Sequence, residues 1–240
     1  MSTLLEQTLA LFSSLPRAER FHVRARAFSA PLEAVVDRVP AIRARSVITS
    51  MDGHRRRRML AVLERENRIG DVNIIGNLMN STSFLANNSI FILAGLVALL
   101  GAPDLGARVL AALPFAAPPT NDSAWELRIG LLVIIFVRAF FELTWALRQF
   151  NYCSIVIGGM GFSPEHQPQA EMAAAVANRA ARHFNTGLRA YYFGLAALAW
   201  IVHPIALMLA SILVLRELHR REFRSVLREA LVTPEPRRGA

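Results

Sequence analysis

The feature that most constrains this chain is a membrane-length apolar run at residues 84–102. None of its nineteen residues carries an ionisable side chain. At a helical rise of about 1.5 Å per residue, the run is nearly as long as the hydrocarbon core of a bilayer is thick. It therefore predicts a transmembrane helix. We expect insertion to depend on internal segments, because residues 1–20 lack the basic start, apolar core and cleavage site of a signal peptide.

The composition agrees with a membrane protein. Apolar residues make up 53% of the chain, and the net charge of +9 is carried by arginine without any lysine. A basic protein with apolar segments meets anionic phospholipid more readily than nucleic acid, and no basic groove with interleaved aromatic residues is present. We expect membrane lipids with anionic headgroups as partners, and no nucleic acid.

Two further segments are apolar enough for crossings, at residues 127–147 and 188–215. The second has 28 residues, more than a straight crossing needs, and Pro204 within it predicts a kink because proline cannot donate to the carbonyl one turn back. The fold class predicted is all-α, an integral membrane protein with about three transmembrane helices plus amphipathic cytoplasmic helices.

The rest of the chain is divided around these crossings. Trp125 precedes the second crossing, where an aromatic belt residue is expected. Amphipathic cytoplasmic helices are predicted at residues 52–72 and 170–186, and a short interfacial helix near residues 105–113. The predicted division is an Arg- and Ala-rich arm at 1–50, a helical membrane domain at 51–228 and a frayed tail at 229–240.

Arginine positions predict the orientation, because short arginine-rich loops stay in the cytoplasm. They put the first 80 residues and segment 148–189 inside, and residues 102–126 outside. Three crossings then leave the C-terminus outside, although it holds seven arginines: Arg216, Arg220, Arg221, Arg224, Arg228, Arg237 and Arg238. A hairpin broken at His203 and Pro204 would return this tail to the cytoplasm, but each arm would have only about fourteen residues, short of a full crossing. We therefore predict three crossings.

Arg138 and Glu142 are the sharpest candidates for a functional site. They lie four residues apart, on one face of the second crossing. Each charge costs roughly 2.5–3.5 kcal/mol to insert, so the pair must face protein or water. It is either part of an ion, proton or headgroup pathway, or an ion pair that holds helices together.

A row of amides precedes and enters the first crossing. Asn73, Asn77 and Asn80 share one helical face, and Asn87 and Asn88 follow inside the apolar run. Amides at membrane depth hydrogen-bond between helices, so packing is the first interpretation and a polar lumen the second.

A basic cluster precedes the first crossing. Its arginines are candidates for anionic-lipid contact, and the alternative is a cytoplasmic flank that only sets orientation: Arg55, Arg56, Arg57, Arg58, Arg65 and Arg68.

Few residues suggest catalysis. His203, beside Pro204, is either a proton relay or a partner for a carbonyl that the proline frees. His183 and Asp71 are weaker candidates. The lone cysteine, Cys153, excludes an intrachain disulfide, and no zinc or hydrolase motif is present. We expect no metal, no cofactor and no enzymatic activity.

Three stretches carry a resemblance to a known family. They are RENRIGDVNIIGN, LRQFNY and RAYYF, within segments that cover about three quarters of the chain. On these motifs the chain resembles the uncharacterised bacterial membrane-protein family catalogued as domain of unknown function 599. The resemblance implies a multi-span inner-membrane protein without an established activity. Its members usually begin with a further hydrophobic helix, which residues 1–50 do not contain.

Two functions remain open. The first is a structural or assembly protein of the bacterial inner membrane, in which the polar residues satisfy one another. The second is a channel or transporter subunit, which would be a homo-oligomer because three crossings enclose no useful pore alone. A lipid-modifying enzyme is a poor third, because no nucleophile or metal cluster is recognisable.

Overall fold

The computed structural model describes residues 47–112 and 122–223, and the regular secondary structure in these ranges is helical. The all-α prediction is confirmed. Six α-helices and one 3-10 turn follow in order: α1 (Val47–Val62), α2 (Ile69–Gly101), α3 (Pro103–Ala112), α4 (Asp122–Gly159), the 3-10 turn (Pro164–His166), α5 (Gln167–Val202) and α6 (Pro204–Phe223).

Two of the described helices, α2 and α4, are long and apolar enough to cross a membrane. They contain 33 and 38 residues, so each exceeds the roughly 30 Å of a hydrocarbon core at about 1.5 Å per residue. Within their most apolar windows, 17% and 33% of the residues are buried in the chain. A helix in the core of a soluble protein would be mostly covered. The predicted number of about three such helices is wrong for the described residues, which contain two.

The predicted third crossing, at residues 188–215, is not one helix. α5 ends just before His203, whose backbone is extended, and α6 begins at Pro204. The proline cannot continue the α5 hydrogen-bond ladder, because it lacks an N–H and its ring clashes with the preceding turn. α6 then packs back along α5, so that the guanidinium of Arg189 lies 3.6 Å from the carboxylate of Glu222. The predicted kink is a complete break, and the predicted single crossing is a helical hairpin.

α4 occupies the middle of the fold and packs against both α2 and α5. Its buried residues recur at alternating steps of four and three, which is the heptad spacing of coiled-coil packing. This period keeps one face of the helix directed at its neighbours along its whole length. The seam consists of Ile129, Leu132, Phe136, Ala139, Leu143, Ala146, Phe150, Cys153 and Ile157.

α5 meets this seam with small residues. Ala173, Ala177 and Ala180 are buried in its first half, and Gly187 and Gly194 in its second half. A Cβ at Gly194 would lie 2.8 Å from the ring of Phe136, and one at Gly187 would lie 2.8 Å from Cγ of Leu143. The missing side chains therefore let α4 and α5 approach closely, as small residues do in packed membrane helices.

The amphipathic helix predicted at residues 52–72 is interrupted. α1 ends at Val62, and residues 63–68 form a turn before α2 begins at Ile69. Asn67 favours this break, because its side-chain oxygen accepts a hydrogen bond from the Ile69 N–H at 3.0 Å, satisfying a donor at the start of α2. The helix predicted at residues 170–186 is the first half of the longer α5.

The remaining structural predictions divide between the described and undescribed residues. α3 confirms the short helix near residues 105–113. Trp125 is only 4% exposed, and its indole N–H donates to the Leu99 carbonyl at 3.4 Å, so it packs between helices instead of facing outward as a belt residue. Most of the N-terminal arm (1–46), residues 113–121 and the frayed tail at 229–240 lie outside the described residues.

Candidate functional site

Most of the ion pairs described join α1, residues 63–71 and the first half of α5, a region that we call the basic end. An apolar cluster beneath it holds these elements together, with Met59 from α1, Ile75 from α2, Phe150 from α4 and Ala174 from α5. The charged side chains therefore project from a packed scaffold.

Asp71 is the centre of the basic end. It is 2% exposed and lies in the first turn of α2. Arg65 Nη1 donates to its two carboxylate oxygens at 3.1 and 3.2 Å. Arg58 Nη2 donates to its backbone carbonyl at 3.0 Å, and Arg58 Nε lies 3.4 Å from Oδ1. One carboxylate thus ties α1 and the following turn to α2, where it also faces the positive end of the helix dipole.

Sequence reasoning treated Asp71 only as a weak candidate. Its partners lie six and thirteen residues earlier, which are not spacings that share a helix face, and the contacts depend on the turn at residues 63–68. One signal was available: Asp71 is the only ionisable residue in the 33 residues of α2.

Arg68 closes the end of α4. Its Nη1 donates to the carbonyl oxygens of Ile157, at 2.9 Å, and Met160, and its Nη2 donates to that of Gly161 at 2.7 Å. The guanidinium also lies 4.6 Å from the ring centroid of Phe162. A cation at this position satisfies carbonyl groups that a helix leaves free at its C-terminus and complements the helix dipole.

The arginines of α1 reach across to α5. Both oxygens of the Glu171 carboxylate accept hydrogen bonds from Arg56 Nε, at 2.9 and 2.7 Å. Asp52 accepts one from Arg55 and one from Arg182, each at 3.0 Å. The hydrogen bond from Arg56 lowers the pKa of Glu171. Burial lowers the pKa of Arg55, because the desolvation of its guanidinium outweighs the opposite effect of Asp52.

The predicted lipid-contact arginines are thus largely engaged within the chain. Five of the six make the contacts above, and the sixth, Arg57, is exposed and lies 3.3 Å from the ring of His54. Their contact with anionic lipid stays a prediction. In the structure, the arginines other than Arg57 help to join α1, α2, α4 and α5.

The structure does not pair Arg138 with Glu142. Glu142 Oε2 lies 2.8 Å from His183 Nδ1 on α5, beside Gly187, where a Cβ would come within 3.2 Å of Glu142 Cβ. Trp145 packs edge-on against the His183 ring. Arg138 is exposed and has no ion-pair partner in the part of the chain that the structure describes. Sequence reasoning had treated His183 as a weak candidate.

The amide row lies on the outside of α2. Asn73, Asn77, Asn80 and Asn87 are exposed, and Asn88 is half-buried. The inner face of the helix holds Thr82 and Ser89 instead, whose hydroxyls donate to the carbonyls four residues back, at 2.7 and 2.9 Å. The amides therefore do not hold these described helices together.

His203 lies in the hairpin turn and caps α6. Its Nδ1 accepts a hydrogen bond from the Ile205 N–H at 3.1 Å. Its own N–H donates to the Ala199 carbonyl at 3.1 Å, which ends α5. With Pro204 in the first position of α6, this is the arrangement of an N-cap residue followed by proline.

The chemistry available at these positions is the binding of anions by guanidinium groups. In the described ranges, no group of three or more His, Cys, Asp or Glu side chains is placed to hold a metal ion. Cys153 is free and buried, and its thiol lies 3.6 Å from the Ala173 carbonyl oxygen.

The class of protein is therefore a helical protein with features of a membrane protein. The features that define it are the helical packing, two helices capable of crossing a membrane and the arginine-rich basic end. A family model described as "Protein of unknown function, DUF599" matches residues 33–227, and the chain belongs to this family. No curated protein and no solved structure matches the chain. Membership of this family confirms the resemblance seen in the sequence. The family description assigns no activity.

Proposed function

We propose that this chain is a multi-pass protein of the bacterial inner membrane with a structural or assembly role, and that it is not an enzyme. The observation that carries the proposal is the outward exposure of large apolar side chains. Phe91 of α2 is 75% exposed, Ile134 of α4 is 65% exposed and Leu213 of α6 is 68% exposed. Such faces are favourable against lipid and costly in water.

The α5–α6 hairpin supports a definite orientation. With α2 and α4 as crossings, a hairpin that enters and returns puts the basic tail on the same side as the arginines of α1. This satisfies the positive-inside rule, which three single crossings violate. The apolar parts of the two arms, residues 188–202 and 204–215, are short for full crossings, and arginines in the second half of α6, such as Arg216 and Arg220, can extend toward the headgroups.

Membrane extraction and cysteine labelling test this proposal. In a Cys153→Ala background, single cysteines at Ser50, Ser123 and Arg220 are treated with a membrane-impermeant maleimide on intact spheroplasts. We expect only Ser123→Cys to react, and the others to react after permeabilisation. Release of the chain by alkaline carbonate would contradict integration, and labelling of Arg220→Cys from outside would contradict the returning hairpin.

A second candidate, an oligomeric channel or transporter subunit, has one observation in its favour. Asn73, Asn77, Asn80 and Asn87 share their exposed face with Phe84, at heptad spacings. Lipid tails offer amides no hydrogen-bond partner, whereas a second copy of the same face offers both donors and acceptors.

Disulfide cross-linking separates this candidate from the first. With Cys153 replaced, Phe84→Cys should form dimers in membranes, and Ile134→Cys should not, although both side chains are 65% exposed. Equal cross-linking at the two positions would indicate random collision. In that case the amide row gives no support to an oligomeric pore.

A further inference from the structure

A pocket lies where α1, α5 and α6 meet. It has a volume of about 300 Å³, enough for a small polar group. We call it the junction pocket. The residues that matter here are Arg55 from α1, Leu188, Arg189 and Tyr192 from α5, and Leu218 and Arg221 from α6.

Three helices each contribute an arginine to this pocket. Arg55 Nη1 donates to Asp52 at 3.0 Å, and Arg221 Nε donates to Glu217 at 2.7 Å. A guanidinium has five N–H donors in a planar fork, so an arginine held by one carboxylate can also bind a second anion. Arginines converging from three elements provide a geometry suited to a tetrahedral anion such as phosphate.

An ion pair between Arg189 and Glu222 lines the pocket. The guanidinium of Arg189 lies 3.6 Å from the carboxylate of Glu222. The two side chains are 17% and 18% exposed, so water screens them poorly. Glu222 also lies 3.5 Å from the Ile48 N–H of α1, which makes this pair the point where the three helices join.

The pocket is apolar as well as basic. Leu188 and Leu218 line it together with Val47 and Met51. Just beyond it, α6 presents a row of exposed apolar side chains that leads away from the basic end: Leu215, Ile212, Leu209 and Ile205. A ligand with an anionic head and an apolar tail fits both surfaces.

We propose that the junction pocket binds the phosphate of an anionic phospholipid, whose acyl chains lie along the exposed face of α6. The shared chemistry is a phosphate anion, which could also arrive as free inorganic phosphate. The lipid source rests on the membrane location proposed above, whereas the anion site itself does not.

Arg220 provides a matched control. It neighbours Arg221, and its Nη2 donates to the same Glu217 carboxylate at 2.8 Å, but it is not among the residues that line the pocket. Replacing either arginine with glutamine removes one exposed cation and one surface ion pair, a change worth little to stability. Only the replacement at Arg221 changes the pocket.

The test is calorimetric titration of the purified full chain in a non-ionic detergent. The probes are dioctanoyl phosphatidylglycerol, dioctanoyl phosphatidylcholine and inorganic phosphate. We expect phosphatidylglycerol to bind best, Arg221→Gln to weaken it by about tenfold, as expected for a lost charge-assisted hydrogen bond, and Arg220→Gln to weaken it by less than about twofold.

The remaining outcomes would each overturn the lipid or the pocket. Inorganic phosphate binding as tightly as phosphatidylglycerol, with the same dependence on Arg221, would keep the anion site and overturn the lipid. Equal losses in the two variants would show diffuse attraction and overturn the pocket, as would no binding by the folded chain. Carbonate extraction tests membrane integration separately, so failure of one proposal is distinguishable from failure of the other.

Discussion

At the scale of single residues, Asp71 is the carboxylate that joins α1 and the turn at residues 63–68 to α2, because arginines from both donate to it. It is nearly fully buried, whereas the side chains of Arg58 and Arg65 are 25% and 52% exposed. The two cations keep access to water while the carboxylate does not. Asp71 therefore depends on its partners more than they depend on it.

We expect Asp71→Asn to destabilise the fold by about 2 kcal/mol, because it replaces charge-assisted hydrogen bonds at a buried site. Arg65→Gln should cost less, about 1 kcal/mol, because Arg58 still contacts the carboxylate and glutamine can still donate a hydrogen bond to it. Thermal unfolding in detergent, followed by intrinsic fluorescence, measures both. Equal effects would mean that Asp71 does not organise the cluster.

His203 permits a second test at this scale. His203→Ala should destabilise the hairpin by about 1 kcal/mol, because it leaves the Ile205 N–H without its cap. His203→Asn should restore most of the loss, since asparagine is a good N-cap residue. If His203 were only a proton relay, neither replacement would change the unfolding temperature through loss of the cap, so the same measurement tests the capping role.

At the scale of helices, the α4–α5 contact depends on two kinds of surface. α4 contributes large side chains at heptad spacing, and α5 contributes glycine and alanine opposite them. The close approach gains dispersion contacts along both helices. It also leaves no room for an added side chain on α5.

We expect Gly194→Ala to destabilise the chain by about 1–3 kcal/mol, through overpacking against the ring of Phe136. Gly130→Ala on α4 is the control, because a Cβ there meets nothing within 4 Å and alanine favours a helix more than glycine does. Gly130→Ala should be neutral or stabilising in the same assay. Similar losses in both variants would contradict close packing at Gly194.

At the scale of the whole molecule, charge and apolar surface are separated. Apart from the Glu142–His183 pair, the described ion pairs lie at the basic end and at the end of α6. Exposed apolar residues follow α2, α4 and α6. Folding back at His203 brings the end of α6 to the start of α1. The arginine-rich segments are thereby collected on one side.

This arrangement predicts a loss of stability in acid. Arg56 lowers the pKa of Glu171 in the folded chain, so the folded state prefers the ionised carboxylate more than the unfolded state does. The resulting stability is present above the unfolded pKa, about 4.3 for glutamate, and is lost as pH falls through the folded pKa. The melting temperature of the wild-type chain should therefore fall as the pH is lowered below about 4.3. It should fall less steeply for the Glu171→Gln variant.

Glu64→Gln is the control for this pH dependence. Glu64 is exposed and has no ion-pair partner in residues 47–112 and 122–223. Its replacement should leave the slope of melting temperature against pH unchanged. A slope changed equally by both replacements would show that net charge is responsible, and that the Arg56–Glu171 contact is not.

Local sequence patterns predicted much of the secondary structure. The apolar run at residues 84–102 and the segment at 127–147 correspond to α2 and α4, because length and hydropathy are properties of a continuous stretch. The candidate site was harder to predict. Glu142 meets His183 from another helix, and Asp71 meets Arg58 across a turn, so neither contact has a sequence spacing that reveals it.

The sequence by itself determined the helical class, the two helices that can cross a membrane and the family. These depend on composition, periodicity and motifs that act within one segment. Only the tertiary structure decided that residues 188–215 form a hairpin, that the amide row faces outward and that arginines from three helices share a pocket. The hairpin and the pocket depend on how far the chain turns at His203, and the position of the amide row depends on which face of α2 meets α4. Packing between residues that are distant in sequence sets both.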